Sequence, residues 1–249
     1  QLSTPDATTG VNAYTGTAGG NPYLKPMTAK QYDTSLEWYL SPSQLLYGAL
    51  FYKAVDGFVQ TVTLEKPEVD QLGVVHNYTI SSLVNGKNGV IKGAEAGYQT
   101  FFDFLPEPFN GLGVQANYTY VYSKAPSPDA YDTSGNPLIV PLEGLSKNSY
   151  NLILIYEKGP ISARVAYNWR SQWVETTQGN GTGSLPIYDK AFGQVDASVS
   201  YHFTKDFSLT ASAVNLTNTK RATDFGLDTL PRDVQINDRM LSLKAQLDF

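Results

Sequence analysis

Side chains that could carry out covalent chemistry are few in this sequence and lie far apart. His76 and His202 are the only histidines, and cysteine is absent, which excludes a thiolate metal site, a cysteine nucleophile and a disulfide framework. A Ser-His-Asp triad or a two-histidine zinc site needs its members close together. The strand pattern instead puts His76 in a long loop and His202 near a short turn, at opposite ends of the strands. We therefore expect no catalytic residue, metal or cofactor, and we expect that the protein is not an enzyme.

Aromatic residues are better candidates for contact with a ligand. The chain has 17 Tyr, 11 Phe and 3 Trp, and a flat ring stacks on a sugar face while nearby Asn, Asp and Gln bind hydroxyl groups. Packing within a loop, or a place in an interfacial girdle, is the alternative role for each ring. The candidate ligand-binding residues lie in predicted loops or where a strand gives way to a loop: Tyr23, Tyr131, Gln172, Trp173 and Tyr188.

Alternation of apolar and polar residues predicts the elements that hold these side chains. In residues 195–203 the odd positions are apolar with aromatic ends and the even positions are polar, which is the pattern of a strand with two different faces. Similar patterns predict about nine strands, several near the roughly 9–11 residues that a tilted membrane strand requires. The other eight segments are 32–40, 45–58, 93–101, 114–122, 149–156, 161–170, 207–213 and 241–249.

The connections between these strands alternate in length. The short ones are 41–43, 157–159 and 204–206, with a somewhat longer one at 103–111, and the long ones are 59–88, 123–147, 174–190 and 216–238. Outer-membrane barrels show that asymmetry, with short periplasmic turns and long outer loops. A soluble β-sandwich also has alternating strands, but it explains less well why charges occupy one face while Tyr and Trp end the other.

Bulk properties narrow the class further. The net charge of −5 and a pI near 5.0 argue against a nucleic-acid partner. No apolar run approaches the ~18 residues of a membrane helix. An open sheet of about nine strands would leave two unpaired edges in lipid, so the sequence is interpreted as a fragment. We expect residues 1–29 to be an outer-loop segment and residues 30–249 to be the C-terminal portion of a transmembrane β-barrel.

Several strings, in order along the chain, carry a resemblance to one family. They are NPYLKP (21–26), QYDTSLEWYLSP (31–42), LLYGALFYK (45–53), IKGAEAGYQ (91–99), GLGVQANYTYVYS (111–123), SYNLILIYEKGPISARVAYNWRS (149–171) and LTASAVNLTN (209–218). Together they resemble the barrel of TonB-dependent outer-membrane receptors over nearly all of residues 21–249. The subgroup that is most similar comes from xanthomonads, caulobacters and their relatives, several of which import carbohydrates.

The resemblance implies a fold, a location and partners. The fold would be all-β, a transmembrane antiparallel barrel of which this chain supplies the C-terminal strands, out of about 22. The location would be the bacterial outer membrane. The partners would be membrane lipid, TonB acting through an N-terminal plug region that this sequence lacks, and a small-molecule or oligosaccharide ligand. The terminal aromatic residue, Phe249, would be the signal read by the barrel assembly machinery.

Charged residues on the polar faces of the predicted strands would then face the barrel lumen. Their role is either a hydrogen-bonded wall that also docks the plug, or a path for the ligand. The four residues are Glu37, Glu95, Arg164 and Arg170. The implied function is TonB-dependent import of a scarce solute, a carbohydrate in the first place. The alternatives are a receptor for a siderophore or iron chelate, a passive porin, and a soluble all-β binding module.

Overall fold

A computed structural model gives the fold of residues 2–3, 14–17, 20–70, 72–131, 133–177, 186–227 and 229–248. At residues 3, 17, 63–64 and 128–131 it describes the backbone alone. The described part is built from strands and turns, with one short 3₁₀ helix at Phe109–Gly111. Within it, no helix combines the length and apolar character needed to cross a membrane.

The strands vary from two to twenty residues in length. They are β1 (Leu2–Ser3), β2 (Thr15–Thr17), β3 (Thr28–Ser41), β4 (Gln44–Asp56), β5 (Val59–Val69), β6 (Val75–Asn85), β7 (Gly89–Phe101), β8 (Leu112–Tyr131), β9 (Pro137–Val140), β10 (Asn148–Lys158), β11 (Ile161–Arg170), β12 (Trp173–Thr176), β13 (Ile187–Asp189), β14 (Phe192–His202), β15 (Phe207–Val214), β16 (Arg221–Asp224), β17 (Pro231–Gln235) and β18 (Met240–Leu247).

The largest sheet contains the nine strands expected from the sequence. Its hydrogen-bonded order is β18-β15-β14-β11-β10-β8-β7-β4-β3, with β9 paired to β8 beside that path. The strands follow chain order, as in a meander, although four neighbouring pairs are separated along the chain by shorter or peripheral strands: β4–β7, β8–β10, β11–β14 and β15–β18. The all-β fold class is confirmed. Strand β3 begins at Thr28, so residues 1–29 include the start of this strand together with β1 and β2; their place in an outer loop stays a prediction.

The long connections contain strands that the sequence pattern does not predict. They carry strands of their own: β5 and β6 lie in 59–88, β9 and the end of β8 in 123–147, β12 and β13 in 174–190, and β16 and β17 in 216–238. The first of these has a physical signal, because VQTVTL at 59–64 is rich in the β-branched residues that favour strands. The other strands contain only three to five residues each, too few for periodicity to reveal.

Residue contacts divide the chain into two compact units, each described separately. Unit 1 comprises Gln1–Gln31, Lys53–Ile91 and Ser123–Leu142, and unit 2 comprises Tyr32–Tyr52, Lys92–Tyr122 and Glu143–Phe249. Buried apolar side chains are few in both. They are Val55, Val62, Tyr78 and Ala125 in unit 1, and Ile155, Val174 and Ile187 in unit 2.

Register in unit 2 separates an apolar face from a polar one. Residues that pair across antiparallel strands share a face. One row across five strands is therefore apolar: Leu154, Val165, Ala197, Ala213 and Leu241. The adjacent row lies on the other face and is mostly polar: Ile155, Arg164, Ser198, Ser212 and Ser242. Leu154 and Leu241 are 53% and 76% exposed, as suits a face that meets lipid.

Hydrogen bonds between side chains run along the polar face. Asn151 donates to Asn117 at 2.8 Å, and the Ser212 and Ser242 hydroxyls lie 2.7 Å apart. These bonds satisfy polar groups that would otherwise rely on solvent. They make this face of the sheet a cross-linked polar wall.

Aromatic rings of unit 2 cover glycines in neighbouring strands. A Cβ placed on Gly97 would lie 2.3 Å from the Tyr47 ring, and one on Gly93 would lie 2.5 Å from the Phe51 ring. Glycine in a strand weakens it unless another group fills the space of the missing side chain. The two rings are four residues apart in β4 and the two glycines are four residues apart in β7, so each ring fills the space beside one glycine.

The hairpin of β5 and β6 dominates unit 1. It is paired from Val59↔Asn85 to Val69↔Val75, and β2 joins β6 in parallel. The NPYLKP string is attached to its base, because Asn85 Oδ1 accepts from Lys25 N at 2.7 Å and Asn85 Nδ2 donates to Lys25 O at 2.9 Å. Asn21 Nδ2 also donates to Leu83 O at 2.8 Å.

Candidate ligand-binding site

A small antiparallel sheet in unit 2 brings together aromatic and charged side chains from distant parts of the chain. Its strand order is β12-β13-β16-β17. Trp173 pairs with Asp189, Asp189 with Thr223, and Thr223 with Asp233. Because paired residues share a face, these four side chains form one row across the sheet.

The salt bridge between Arg221 and Asp189 joins two strands of this sheet. Arg221 Nε donates to Asp189 Oδ1 at 2.6 Å, and Nη2 of the same guanidinium donates to Oδ2. The Asp189 side chain is fully buried, whereas that of Arg221 is 34% exposed. The bond to Asp189 raises the pKa of Arg221 above its ordinary value, so this cation stays charged under all ordinary conditions.

Arg170 and Trp173 lie where strand β11 passes into the small sheet. The centre of the Arg170 guanidinium is 3.7 Å from the centroid of the Trp173 ring, within cation–π range. Arg170 Nε donates to Ser146 Oγ and its Nη2 to Gly144 O, each at 2.7 Å. The Arg221 guanidinium lies 5.6 Å from the same ring. Two cations therefore converge on one indole.

Further polar groups lie on and around the sheet. Lys190 Nζ is 3.5 Å from Asp224, whose carboxylate also accepts from Gly226 N at 2.9 Å. Thr223 Oγ1 is buried and has no hydrogen-bond partner among the described residues. Glu143 accepts from the Thr177 amide at 2.6 Å and from its hydroxyl at 3.0 Å. These bonds fix the edge of the sheet to the segment that precedes β10.

Asn215 closes the base of the loop that carries β16 and β17. It has a left-handed backbone (φ 55°) and is buried. Its Nδ2 donates to Asn237 O at 2.6 Å and to Thr219 O at 3.2 Å, while its Oδ1 accepts from Thr219 N at 2.8 Å. One side chain thus holds both ends of residues 219–237 together, which positions Arg221.

Three of the five expected ligand-binding residues fall in this region. Trp173 is half-buried against the Arg170 guanidinium. Tyr188 is half-buried in β13 and pairs with Asp224 of β16. Gln172 is exposed between β11 and β12. Tyr23, at 86% exposure, and Tyr131, the last residue of β8, belong to unit 1. A common site for those two and the other three stays a prediction.

The expected lumen-facing residues divide by what the register shows. Arg164 and Arg170 lie six residues apart in β11 and therefore on the same face, which is the polar one. They pair with Ser198 and Phe192 of β14. Glu37 is exposed and accepts from the Tyr39 hydroxyl at 2.7 Å, and Glu95 is exposed in β7. That these four side chains face the barrel lumen stays a prediction. Phe249 lies outside the described residues.

Sequence reasoning did not select Arg221 or Asp189 for this site. Their separation of 32 residues along the chain gives no periodic signal. The one available hint is that acidic and basic residues occur in short segments flanked by turn residues, as in YDK at 188–190 and KRATD at 220–224. No group of three or more histidine, aspartate or glutamate residues in the described ranges is arranged to hold a metal ion.

Comparisons with known proteins agree with this architecture. A family model described as TonB dependent receptor-like, beta-barrel, matches residues 2–216. No curated protein sequence matches the chain. Among solved structures, the copper transporter OprC is similar with a TM-score of 0.61 and 16% identity, covering 100% of this chain and 36% of that one.

Two further structures give the same result. The unliganded ferric citrate transporter FecA has a TM-score of 0.61 and 15% identity, with 89% of this chain and 31% of that one covered. The closed form of the ferric-catecholate import receptor Fiu from E. coli K12 has a TM-score of 0.58 and 16% identity, with 93% and 30% covered. The chain thus spans about a third of the length of these structures, and at such identities the similarity shows the fold alone.

The nine-stranded meander with its polar and apolar faces agrees with the match to the family model over residues 2–216. That family consists of receptors and transporters in the bacterial outer membrane. The chain belongs to the TonB-dependent receptor-like β-barrel family and is an outer-membrane β-barrel segment.

Proposed function

We propose that this chain forms part of the barrel of a receptor that actively imports a scarce solute across the outer membrane. The observation that carries the proposal is the cluster of Trp173, Arg170 and Arg221 on a small sheet outside the nine-stranded meander. An aromatic ring beside fixed hydrogen-bond donors suits capture of a small ligand. Energy from TonB, delivered through an N-terminal plug region, would then open the passage.

The proposed substrate is a carbohydrate, as in the xanthomonad and caulobacter subgroup that the sequence resembles. Half-buried Trp173 and Tyr188 and exposed Gln172 offer rings and an amide for sugar hydroxyls. The remaining proposed partners are outer-membrane lipid along the apolar face and the barrel assembly machinery at Phe249. Tyr23 and Tyr131 are proposed as contacts from unit 1.

An iron chelate is the second candidate substrate. It is favoured by the names of the solved structures with this fold, which include a ferric citrate transporter and a ferric-catecholate import receptor. Either substrate requires binding and a conformational change, with no bond chemistry. A passive porin and a soluble binding module are disfavoured because the family match is to a receptor barrel.

Uptake in cells tests the proposal. The gene for the receptor that carries this chain is deleted and restored in its own host, and uptake of labelled maltohexaose, trigalacturonate and ferric citrate is followed with and without TonB. We expect one of these solutes to enter only when both the receptor and TonB are present. Uptake that needs the receptor but continues without TonB would instead identify a passive porin.

A further inference from the structure

We propose that the ligand of this receptor carries a carboxylate, and that Arg170 and Arg221 bind it beside the Trp173 ring. The inference rests on the proposed import function and names the class of ligand. It concerns one group of residues in unit 2: Arg170, Trp173, Asp189, Arg221 and Thr223, which we call the arginine cluster.

The charge of Arg170 has no direct ionic partner among the described residues. Its hydrogen bonds go to two neutral acceptors, Ser146 Oγ and Gly144 O. Within the described ranges no carboxylate lies within ion-pair distance of it. A half-buried guanidinium held by neutral groups keeps most of its attraction for an anion.

Both guanidiniums keep an N–H donor for a ligand. Arg170 uses Nε and Nη2, and Arg221 uses Nε and Nη2 on Asp189. Nη1 of each has no hydrogen-bond partner in the part of the chain that the structure describes. A guanidinium is planar, and its parallel N–H groups match the two oxygens of a carboxylate.

Both cations are held in place before a ligand arrives. Trp173 lies 3.7 Å from the Arg170 guanidinium and 5.6 Å from that of Arg221. The fully buried Asp189 carboxylate holds the Arg221 guanidinium in place through two hydrogen bonds. Preorganised groups lose little conformational entropy when they bind, which favours affinity.

Acidic residues nearby limit the size of the effect and sharpen the specificity. Glu175 and Asp233 each lie 3.9 Å from Arg232, and Asp224 lies 3.5 Å from Lys190. Together with the Arg221–Asp189 bridge, these pairs comprise three cations and four carboxylates, and the charge of Arg170 brings the neighbourhood to neutrality. The acidic residues repel further negative charge, so the arginine cluster accommodates one carboxylate group of the ligand at a time.

Two ligand sources share this chemistry, an acidic saccharide and a ferric carboxylate chelate. The experiment uses the complete receptor, purified in detergent, and measures Kd by calorimetry at low and high salt. The probes are trigalacturonate, its methyl ester and ferric citrate. The ester keeps the same rings and loses the negative charge.

Three variants isolate the role of the charge. Arg170→Gln removes the cation, and Arg170→Lys keeps the charge without the planar donors. Arg239→Gln is the matched control, because Arg239 is exposed and has no ion pair or hydrogen bond among the described residues. Amide hydrogen exchange of β12 and β13 in each variant reports whether the sheet remains formed.

We expect at least one carboxylate probe to bind about tenfold or more tightly than the ester, with Kd rising at high salt. Arg170→Gln should abolish that preference, Arg170→Lys should recover part of it, and Arg239→Gln should leave it intact, with normal exchange in β12 and β13. Preference for trigalacturonate over ferric citrate would identify a saccharide, and the reverse an iron chelate.

Equal binding of acid and ester, an unchanged Kd in Arg170→Gln, or no binding of either carboxylate probe would overturn the inference. If exchange shows that Arg170→Gln opens the sheet, Arg170→Lys and the ester decide the matter alone. TonB-dependent uptake of a neutral sugar in cells would leave the import function standing while this inference fails.

Discussion

Arg221 is bonded to Asp189 through two of its nitrogens, although the residues lie on different strands of the small sheet and the carboxylate has no exposure to solvent. A buried carboxylate that loses its hydrogen-bonded cation is strongly destabilising. The bond therefore has a structural role besides fixing Arg221 for a ligand.

Removing the cation tests that role. We expect Arg221→Gln to lower the local stability of β13 and β16 by about 3 kcal/mol, because Asp189 is left charged and buried. The double variant with Asp189→Asn as well should lose less than the sum of the two single variants, because it leaves no unpaired charge. Hydrogen exchange of β13 and β16 in the detergent-solubilised receptor measures both. Additive losses would show that the two side chains are not coupled.

Substitution of Thr223 should change the stability of the small sheet in the opposite direction. Its hydroxyl is buried and unpartnered among the described residues, so the folded state bears its desolvation without a compensating bond. We expect Thr223→Val, which keeps the shape and the β-branch, to leave the sheet equally stable or to raise its stability by about 1 kcal/mol.

Thr100 supplies the control for that substitution. It is equally buried, but its hydroxyl donates to Phe101 O at 3.0 Å. Thr100→Val should therefore lower the stability of its strand by about 1 kcal/mol, as judged by hydrogen exchange. A loss of similar size at Thr223 would mean that a bound water satisfies its hydroxyl.

Substitutions of Asn215 should destabilise the loop of β16 and β17 to different degrees. Asn215→Ala loses both the bonds to residues 219 and 237 and the tolerance of a φ of 55°, for an expected cost on the order of 2–3 kcal/mol. Asn215→Gly keeps the backbone freedom, so its cost should be smaller by about 1 kcal/mol. Exchange of the amides of β16 and β17 gives the measurement.

A second asparagine in the same turn provides the comparison. Asn218 is also left-handed, at φ 53°, but its side chain is exposed and makes no bond within the described residues. Asn218→Gly should leave exchange in β16 and β17 unchanged. Equal effects at the two positions would refute the closing role of Asn215.

The nine strands could be predicted from the sequence because each has two contrasting faces over seven or more residues. Residues 195–203 show why: an apolar and a polar side chain alternate without a break, and the structure forms β14 there. Trp173 and Tyr188 are predictable for a similar local reason, since aromatic residues beside loops are recognisable from type and position alone.

The small sheet could not be predicted, because its members meet only through the fold. Trp173 and Arg221 are 48 positions apart and lie in strands of four residues. Neither strand is long enough to show a period, and their pairing depends on where Asn215 closes the loop. The charged partners of the arginine cluster are likewise set by cross-strand register rather than by spacing along the chain.

Gly93 yields a prediction about the large sheet. A Cβ there would lie 2.1 Å from Tyr120 O and 2.5 Å from the Phe51 ring, and the backbone oxygen cannot move aside easily. We expect Gly93→Ala to destabilise the receptor by about 1–3 kcal/mol through overpacking. Gly48→Ala is the control, since its nearest atom, Glu95 O, would be at an ordinary 3.7 Å. Thermal unfolding followed by circular dichroism should separate the two, and equal midpoints would contradict the proposed steric conflict.

The turn of the β5–β6 hairpin predicts a dependence on pH. Asp70 Oδ1 accepts from Val74 N at 2.9 Å and Leu72 N at 2.8 Å, and Oδ2 lies 3.0 Å from His76 Nε2. These bonds, that of Val74 first, hold the pKa of the Asp70 carboxyl below its ordinary value, which is about 3.9. Because the pKa is lower in the folded turn, the carboxylate stabilises the turn fully above pH ~4, and this stabilisation is lost as pH falls through the folded pKa.

Asp70→Asn separates the charge from the geometry. The amide oxygen can still accept from the Leu72 and Val74 amides, so the turn should form, but its stability should no longer change with Asp70 ionisation. We expect exchange protection of these two amides to fall below pH ~4 in the natural receptor beyond the intrinsic pH effect on exchange, and to remain flat after the same correction in the variant. The same decline in both proteins would mean that another group governs the turn.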